Sequence, residues 1–176
     1  ADVLNFEAGQ LGAAGVSADN TSTITDQFAA TFGMEFSLVN PLTMETVDAL
    51  PLLTQIGNNA SGDAFINQIV DVADVAREGF EDELGEWFLR PKNFIDAHPG
   101  SLLVSMTDGP TDYITGQIWD IDGNISEDAG VAFGTEQWRV VALDENMNVI
   151  ETIFSPLGDS PDVNVNEYVA APWTWE

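Results

Sequence analysis

The sequence predicts a mostly-β fold, an antiparallel two-sheet sandwich of jelly-roll type, as a single β-sandwich domain over residues 1–176. Three observations predict it. Short segments with apolar residues at every second position recur along the chain. Clusters of Gly, Pro, Asn and Asp separate them, which is how antiparallel strands and their turns are punctuated. Apolar residues make up 44% of the 176, enough for a core at a length where about 70% of the unfolded surface is normally buried.

The elements follow in order. Val3-Leu4-Asn5-Phe6-Glu7 predicts an opening strand that breaks at Gly9. Residues 9–23 are rich in Gly, Ala, Ser, Asn and Thr, so residues 1–23 read as an N-terminal strand and a flexible tether. From Phe28 to Leu38 the pattern alternates, with Phe32, Met34, Phe36 and Leu38 facing one way. That is a half-buried strand, ended by Asn40-Pro41. Residues 41–84 read as a long loop or helical excursion. Leu50-Pro51-Leu52-Leu53 is apolar but broken by proline, and Asn58 to Asp63 is a turn cluster. Phe65, Ile69, Val72, Ala76 and Phe80 then recur at helical spacing behind Asp63 as an N-cap, which predicts a helix over 63–77. The competing reading is a structured loop, because Asp71, Asp74 and the β-branched valines lower helix propensity. At most one substantial helix is expected in the 60–85 region. Glu78, Glu81, Asp82, Glu83 and Glu86 read as a solvated run.

Beyond Gly85 the sequence reads as strand and turn only. Trp87-Phe88-Leu89 stops at Pro91, and Ser101 to Met106 stops at Asp108-Gly109-Pro110. Tyr113 to Asp122 alternates, with Ile114, Gly116 and Ile118 against Thr115, Gln117 and Trp119, and ends in a turn at Asp122-Gly123-Asn124. Glu136 to Leu143 sets Trp138, Val140 and Ala142 on one face, with Trp138 expected in the core. Asp144 to Asn148 is a hairpin turn, Val149 to Phe154 returns, and Trp173-Thr174-Trp175 is a last strand.

Charge narrows the function. Thirty acids stand against 4 bases, for a net charge of −26. Nucleic-acid binding requires Lys and Arg to displace counterions, and anionic lipid requires them too; Arg77, Arg90, Lys92 and Arg139 are too few and too scattered. No apolar run approaches the roughly 18 residues of a membrane helix, so no membrane insertion is expected. The chain has no cysteine, which rules out disulfides, thiolate nucleophiles and zinc-thiolate sites. It opens Ala1-Asp2-Val3 without Met, as a mature end left by signal-peptide removal would. The repulsion among the acids is screened within about 8 Å at physiological salt. That balance suits saline or divalent-rich surroundings; simple solubility is the plainer reading.

Catalytic chemistry has little to stand on. The one histidine, His98, sits in Ala97-His98-Pro99-Gly100 and reads as an exposed turn residue. There is no Gly-x-Ser-x-Gly elbow and no Gly-rich nucleotide loop, so no catalytic residue is assigned. A carboxylate pair for glycoside hydrolysis would carry no specificity among 30 acids. Ca²⁺ is better supported, because it takes oxygen ligands from tight acidic loops. Asp120, Asp122 and Asn124 alternate through a turn, and Glu127 and Asp128 follow within reach. The loop is no EF-hand: its Gly is out of place and Val131 stands at the position that needs Glu. Asp159 to Asn164 is a weaker second candidate. Trp119, Tyr113, Trp173 and Trp175 are candidate platforms for glycan or a protein partner, with core packing as the plain alternative for each tryptophan. Three Asn-x-Ser sequons, at Asn20, Asn59 and Asn124, read as chance.

A series of motifs resembles a known class. It runs Leu50 to Gly57, Gly85-Glu86-Trp87-Phe88-Leu89, Gly116 to Gly123, Glu136 to Asp144, Asn148-Val149-Ile150, Ser155-Pro156-Leu157-Gly158 and Pro172-Trp173. In this order the motifs resemble exported β-sandwich domains of PEP-CTERM-type surface and exopolysaccharide-associated proteins of aquatic bacteria. The resemblance spans roughly residues 50–175. It implies an extracellular sandwich like a carbohydrate-binding module and no catalytic residues. The chain departs from the class at residues 124–135, which look like an insertion, and at Trp173-Thr174-Trp175-Glu176, where the class continues into another strand and a sorting tail. A missing strand would leave an open sheet edge. Val3, Leu4 and Phe6 are the residues placed to cover it, in their own domain or in a neighbouring copy.

The function expected from these readings is a non-catalytic, secreted or cell-surface matrix protein that binds extracellular glycan or a protein partner, stabilised by Ca²⁺. The first alternative is a self-assembling filament subunit joined by strand complementation; the second is a polysaccharide hydrolase or lyase.

Overall fold

The computed structural model describes residues 3–57, 66–67, 72–73, 75–90, 100–119, 121, 123–126, 131–135, 137–158 and 169–176. They form two short helices, α1 (Ala8–Ala13) and α2 (Ala29–Phe32), and many short strands. The strands are β1 (Met34–Val39), β2 (Leu52–Gln55), β3 (Ile66–Asn67), β4 (Val72–Ala73), β5 (Val75–Ala76), β6 (Trp87–Arg90) and β7 (Ser101–Met106), followed by β8 (Gly116–Trp119), β9 (Gly123–Ser126), β10 (Val131–Thr135), β11 (Arg139–Leu143), β12 (Val149–Phe154), β13 (Val169–Ala170) and β14 (Pro172–Trp175). The fold is mostly β, as its alternation predicts. Among the described residues the strands pair two by two: β1 with β7, β2 with β6, β3 with β4, β9 with β10, β11 with β12, β8 with β14 and β5 with β13. The β5–β13 pair is parallel. The chain divides into two compact units: unit 1 is Ala1–Ile66 with Gly85–Thr111, and unit 2 is Asn67–Leu84 with Asp112–Glu176.

Unit 1 is built on an aromatic core. Leu11, Ile24, Phe28, Phe36, Leu53 and Trp87 are buried together. Phe6 meets Phe28 edge-on at 5.7 Å and Phe36 at 5.8 Å, the T-shaped geometry aromatic quadrupoles prefer. The opening strand expected at Val3–Glu7 does not form. Phe6 takes a left-handed φ of 58°, and Leu4 and Phe6 pack on the core of their own unit. Glu7 fixes this path by accepting the Glu86 N–H at 2.8 Å. Its carboxylate fills the space that a Cβ on Gly85 would need. The expected tether begins as α1, because Ala8, Gln10, Leu11 and Ala13 are good helix formers and Leu11 is fully buried.

The alternation from Phe28 to Leu38 is a strand only from Met34 onward. Phe28 caps α2, and Gly33, at φ 64°, turns the chain into β1; a left-handed φ is what glycine permits. β1 then pairs antiparallel with β7 from Met34↔Met106 to Val39↔Ser101. Pro51 does not break its segment. It sits just ahead of β2, where a missing N–H costs no ladder bond, and its carbonyl accepts the Ile24 N–H at 2.9 Å. The β2–β6 register, Leu52↔Arg90 to Gln55↔Trp87, is buried on both faces: Leu53 and Trp87 face the core, while Leu52, Thr54 and Arg90 are buried on the other side. Asn20 anchors β2 by accepting the Gln55 N–H at 2.7 Å.

The helix expected over 63–77 is absent wherever those residues are described. Ile66–Asn67, Val72–Ala73 and Val75–Ala76 are strands. Valine is stiff at χ1 and fits a pleated surface, and Val75 and Ala76 find partners in Val169 and Ala170. The other residues of that segment lie outside the described ones. Of the turn expected at Asp122-Gly123-Asn124, Asp122 lies outside the described residues, and Gly123–Ser126 is strand β9 in register with β10. β11 and β12 form the expected hairpin, from Arg139↔Phe154 to Leu143↔Val149 with a bulge at Ala142/Leu143. Trp138, expected in the core, lies just ahead of β11 and is 41% exposed; among the described residues β11 and β12 pair only with each other, and a two-stranded ribbon leaves a face uncovered. Glu78, Glu81, Asp82, Glu83 and Glu86 are all exposed, as a solvated run should be.

Candidate functional site

Three of the four candidate binding aromatics lie on one ladder, although more than fifty residues of sequence separate its strands. β8 and β14 pair antiparallel with Pro172↔Trp119, Trp173↔Ile118, Thr174↔Gln117 and Trp175↔Gly116. Side chains alternate across a strand, so Trp173, Trp175, Gly116 and Ile118 share one face. Trp119, Gln117, Pro172 and Thr174 share the other.

On the first face the Trp175 indole lies over Gly116. A Cβ there would stand 2.5 Å from Trp175 Cζ2 and 2.8 Å from Cε2. Glycine inside a strand often marks a close approach of this kind, so the signal was present in the sequence. The strand end is tied down twice. Thr115 Oγ1 donates to the Trp175 carbonyl at 2.6 Å, and the Tyr113 hydroxyl donates to Glu176 Oε2 at 3.2 Å. The fourth aromatic thereby joins the ribbon, with Tyr113 63% exposed. Trp173 and Trp175 are half-buried.

On the second face Trp119 is braced. It meets Phe80 edge-on at 6.5 Å, and its Nε1–H donates to Gln117 Oε1 at 3.2 Å. Gln117 Nε2 in turn donates to Glu83 Oε2 at 2.6 Å. Sequence reasoning did not connect Gln117 with Glu83, because the acidic run and β8 are brought together only by folding.

The arrangement suits a ring-shaped, hydroxyl-rich ligand. Indole and phenol rings offer flat apolar surface with a polar edge. Glu176 offers an acceptor beside Tyr113 at the strand end, while Gln117 and Glu83 offer donors and acceptors beside Trp119 on the opposite face.

The candidate Ca²⁺ residues are only partly described. Asn124 lies in strand β9. Asp120, Asp122, Glu127 and Asp128 lie outside the described residues, as do Asp159 to Asn164 and His98. Among the described residues no three His, Asp or Glu side chains gather to hold an ion. Of the candidate assembly residues, Val3 is exposed while Leu4 and Phe6 pack inside unit 1.

Sequence reasoning missed two turn-organising carboxylates and a serine. Asp144 accepts Asn148 Nδ2 at 2.9 Å and the N–H groups of Asn148 and Asn146 at 2.8 Å each. The Asn148 side chain, then its backbone N–H, hold the Asp144 carboxyl below its ordinary value. Asp19 is held low in the same way, chiefly by the Thr21 hydroxyl at 2.7 Å. Asp and Asn spaced through a turn are the signal for such Asx geometry. Ser155 is buried; it accepts the Trp138 N–H at 2.9 Å and donates to the Pro156 carbonyl at 2.7 Å, closing the base of the β11–β12 hairpin.

Compared with known proteins, the chain matches no family model, no curated protein and no solved structure.

Proposed function

We propose that this chain is a non-catalytic, exported surface or matrix module, a jelly-roll-like sandwich that binds extracellular polysaccharide through the β8–β14 ribbon. The observation that carries the reading is the indole of Trp175 laid over Gly116, with Trp173 on the same face and Tyr113 tied to the strand end. Charge selects the ligand class. A chain of net charge −26 repels uronate-rich or sulfated polymers, so the fitting glycan is neutral or bears free amines. Supporting features are the absence of cysteine and the series of motifs resembling exported exopolysaccharide-associated domains.

The experiment is retention on immobilised polysaccharides of three kinds: neutral, amino-bearing and uronic. Binding to either of the first two should fall at least about tenfold, or about 1.4 kcal/mol, in Trp175→Ala and in Tyr113→Ala. Thr174→Ala, on the opposite face, should bind as the parent does. Retention on none of the three, or retention that survives both aromatic substitutions, would remove the ribbon as a glycan site.

A further inference from the structure

A different surface of unit 2 carries a second binding site. In β12, Val149, Ile150 and Phe154 are exposed, Ile150 by 68% and Phe154 by 58%. Alternation places Ile150, Thr152 and Phe154 on one face and Val149, Glu151 and Ile153 on the other. Among the described residues the outer edge of the strand's backbone is also open. Ser155 N–H donates to the Trp138 carbonyl at 2.9 Å, which sets the alternation of the ladder. Ile153 and Glu151 are then the residues bonded to β11 at Val140 and Ala142. Thr152 and Phe154 form the intervening pairs, whose N–H and C=O groups point away from the partner strand. Among the described residues β12 pairs with β11 alone.

Open strands are templates for another chain, and proteins usually blunt them with Pro, Lys or a bulge. β12 contains neither Pro nor Lys. The bulge of this hairpin lies at the far end, at Ala142/Leu143. The edge is therefore built to receive a strand, and charge identifies which. Asp144, Glu145 and Glu151 face Arg139 as the one base of the hairpin, within a chain of net charge −26. A second copy would bring two such surfaces together, which like-charge repulsion opposes.

We propose that β12 is a docking edge for an extended segment of a partner protein in which apolar and basic residues alternate. The segment adds to the hairpin as a third strand. Its backbone pairs with Thr152 and Phe154, its apolar side chains lie beside Ile150 and Phe154, and its Lys or Arg side chains lie beside Glu151.

The probe is a synthetic Lys-Val repeat peptide, with a Glu-Val repeat as its counterpart, titrated into the full chain and read by calorimetry and tryptophan emission. The Lys-Val peptide should bind, and the Glu-Val peptide should bind at least about tenfold more weakly. Affinity should fall at least about tenfold between about 0.01 M and about 1 M NaCl, as the Debye length shortens from about 30 Å to about 3 Å. Thr152→Pro removes an outward N–H and should abolish binding. Phe154→Lys leaves the backbone intact and should weaken it at least about tenfold, so the proposal is tested even if the proline variant does not fold. Equal binding of both peptides, binding unchanged in Phe154→Lys, or no binding of the Lys-Val peptide would overturn the proposal. A dimer in sedimentation that Phe154→Lys dissociates, without peptide binding, would also overturn it and assign the edge to a second copy.

Discussion

In unit 1 a set of large apolar side chains closes on itself: Leu11, Ile24, Phe28, Leu38 and Leu53 are fully buried or nearly so, and Trp87 joins them, although Val3, Leu42, Leu50 and Leu102 stay at the surface. In unit 2 residues of the same types stand at the surface. Tyr113, Trp138, Val149, Ile150, Phe154 and Leu157 are exposed, and Trp119, Trp173 and Trp175 are half-buried. Aromatic content does not separate the two, since each carries several Phe, Trp or Tyr residues. Layering does. In unit 1, α1, the Phe6 segment, β1 and β2–β6 converge on one cluster, so each apolar face has a neighbour. Among the described residues both units are built of two-stranded ribbons, and those of unit 2 leave residues such as Trp138, Ile150 and Phe154 at the surface. The two proposed binding surfaces draw on these exposed apolar side chains, whereas a closed cluster is a mark of stability.

The largest effect expected from this contrast is in the core. Phe28→Ala should cost about 3–5 kcal/mol, against about 0.5 kcal/mol or less for Ile150→Thr at the surface. Urea unfolding of the two variants measures both, and an equal cost would break the comparison. Next is Gly116→Ala. Its Cβ would press on the Trp175 indole at 2.5 Å, and overpacking of this kind costs about 1–3 kcal/mol. Tryptophan emission should shift as the indole is displaced; an unshifted spectrum with unchanged stability would show that the ring is not seated there. A smaller gain is available in unit 1. Thr54 is fully buried and, among the described residues, its Oγ1 has no hydrogen-bond partner. Thr54→Val should therefore stabilise by about 1 kcal/mol, and a loss of that size would mean the hydroxyl is satisfied.

The smallest effect is electrostatic and touches both units alike. Asp144 and Asp19 are held below the ordinary 3.8 by hydrogen bonds, first from the Asn148 side chain and first from the Thr21 hydroxyl. A carboxyl depressed in the folded state contributes stability that is full above its unfolded value and is lost as pH falls through the folded value. Melting temperature followed below about pH 4 should fall less steeply in Asp144→Asn and Asp19→Asn than in the parent. A parallel fall would show that neither turn carboxylate contributes.

Much of this was legible in the residues themselves. β6, β7, β8, β11, β12 and β14 follow from short alternating runs bounded by Pro, Gly, Asn and Asp, because strand pitch and turn preference are properties of adjacent residues. The exposed acidic run was legible for the same reason, and Trp119, Tyr113, Trp173 and Trp175 were visible as aromatics beside turns. Tertiary structure alone decided the rest. Val3–Phe6 has the pattern of a strand, yet the Phe28–Phe36 cluster and the Glu7–Glu86 hydrogen bond bend it into the core. Val72–Ala76 sits inside a helical spacing pattern, yet its valines lie in strands, one of them paired with Val169–Ala170. Trp138 has the sequence neighbours of a core residue, yet among the described residues no layer covers it and it is exposed. Pairing and burial depend on which distant segment arrives, and the closure of a long loop costs little more than that of a shorter one. Local pattern could therefore set the elements and their faces, while the partner of each face was chosen by the packing of residues far apart in the chain.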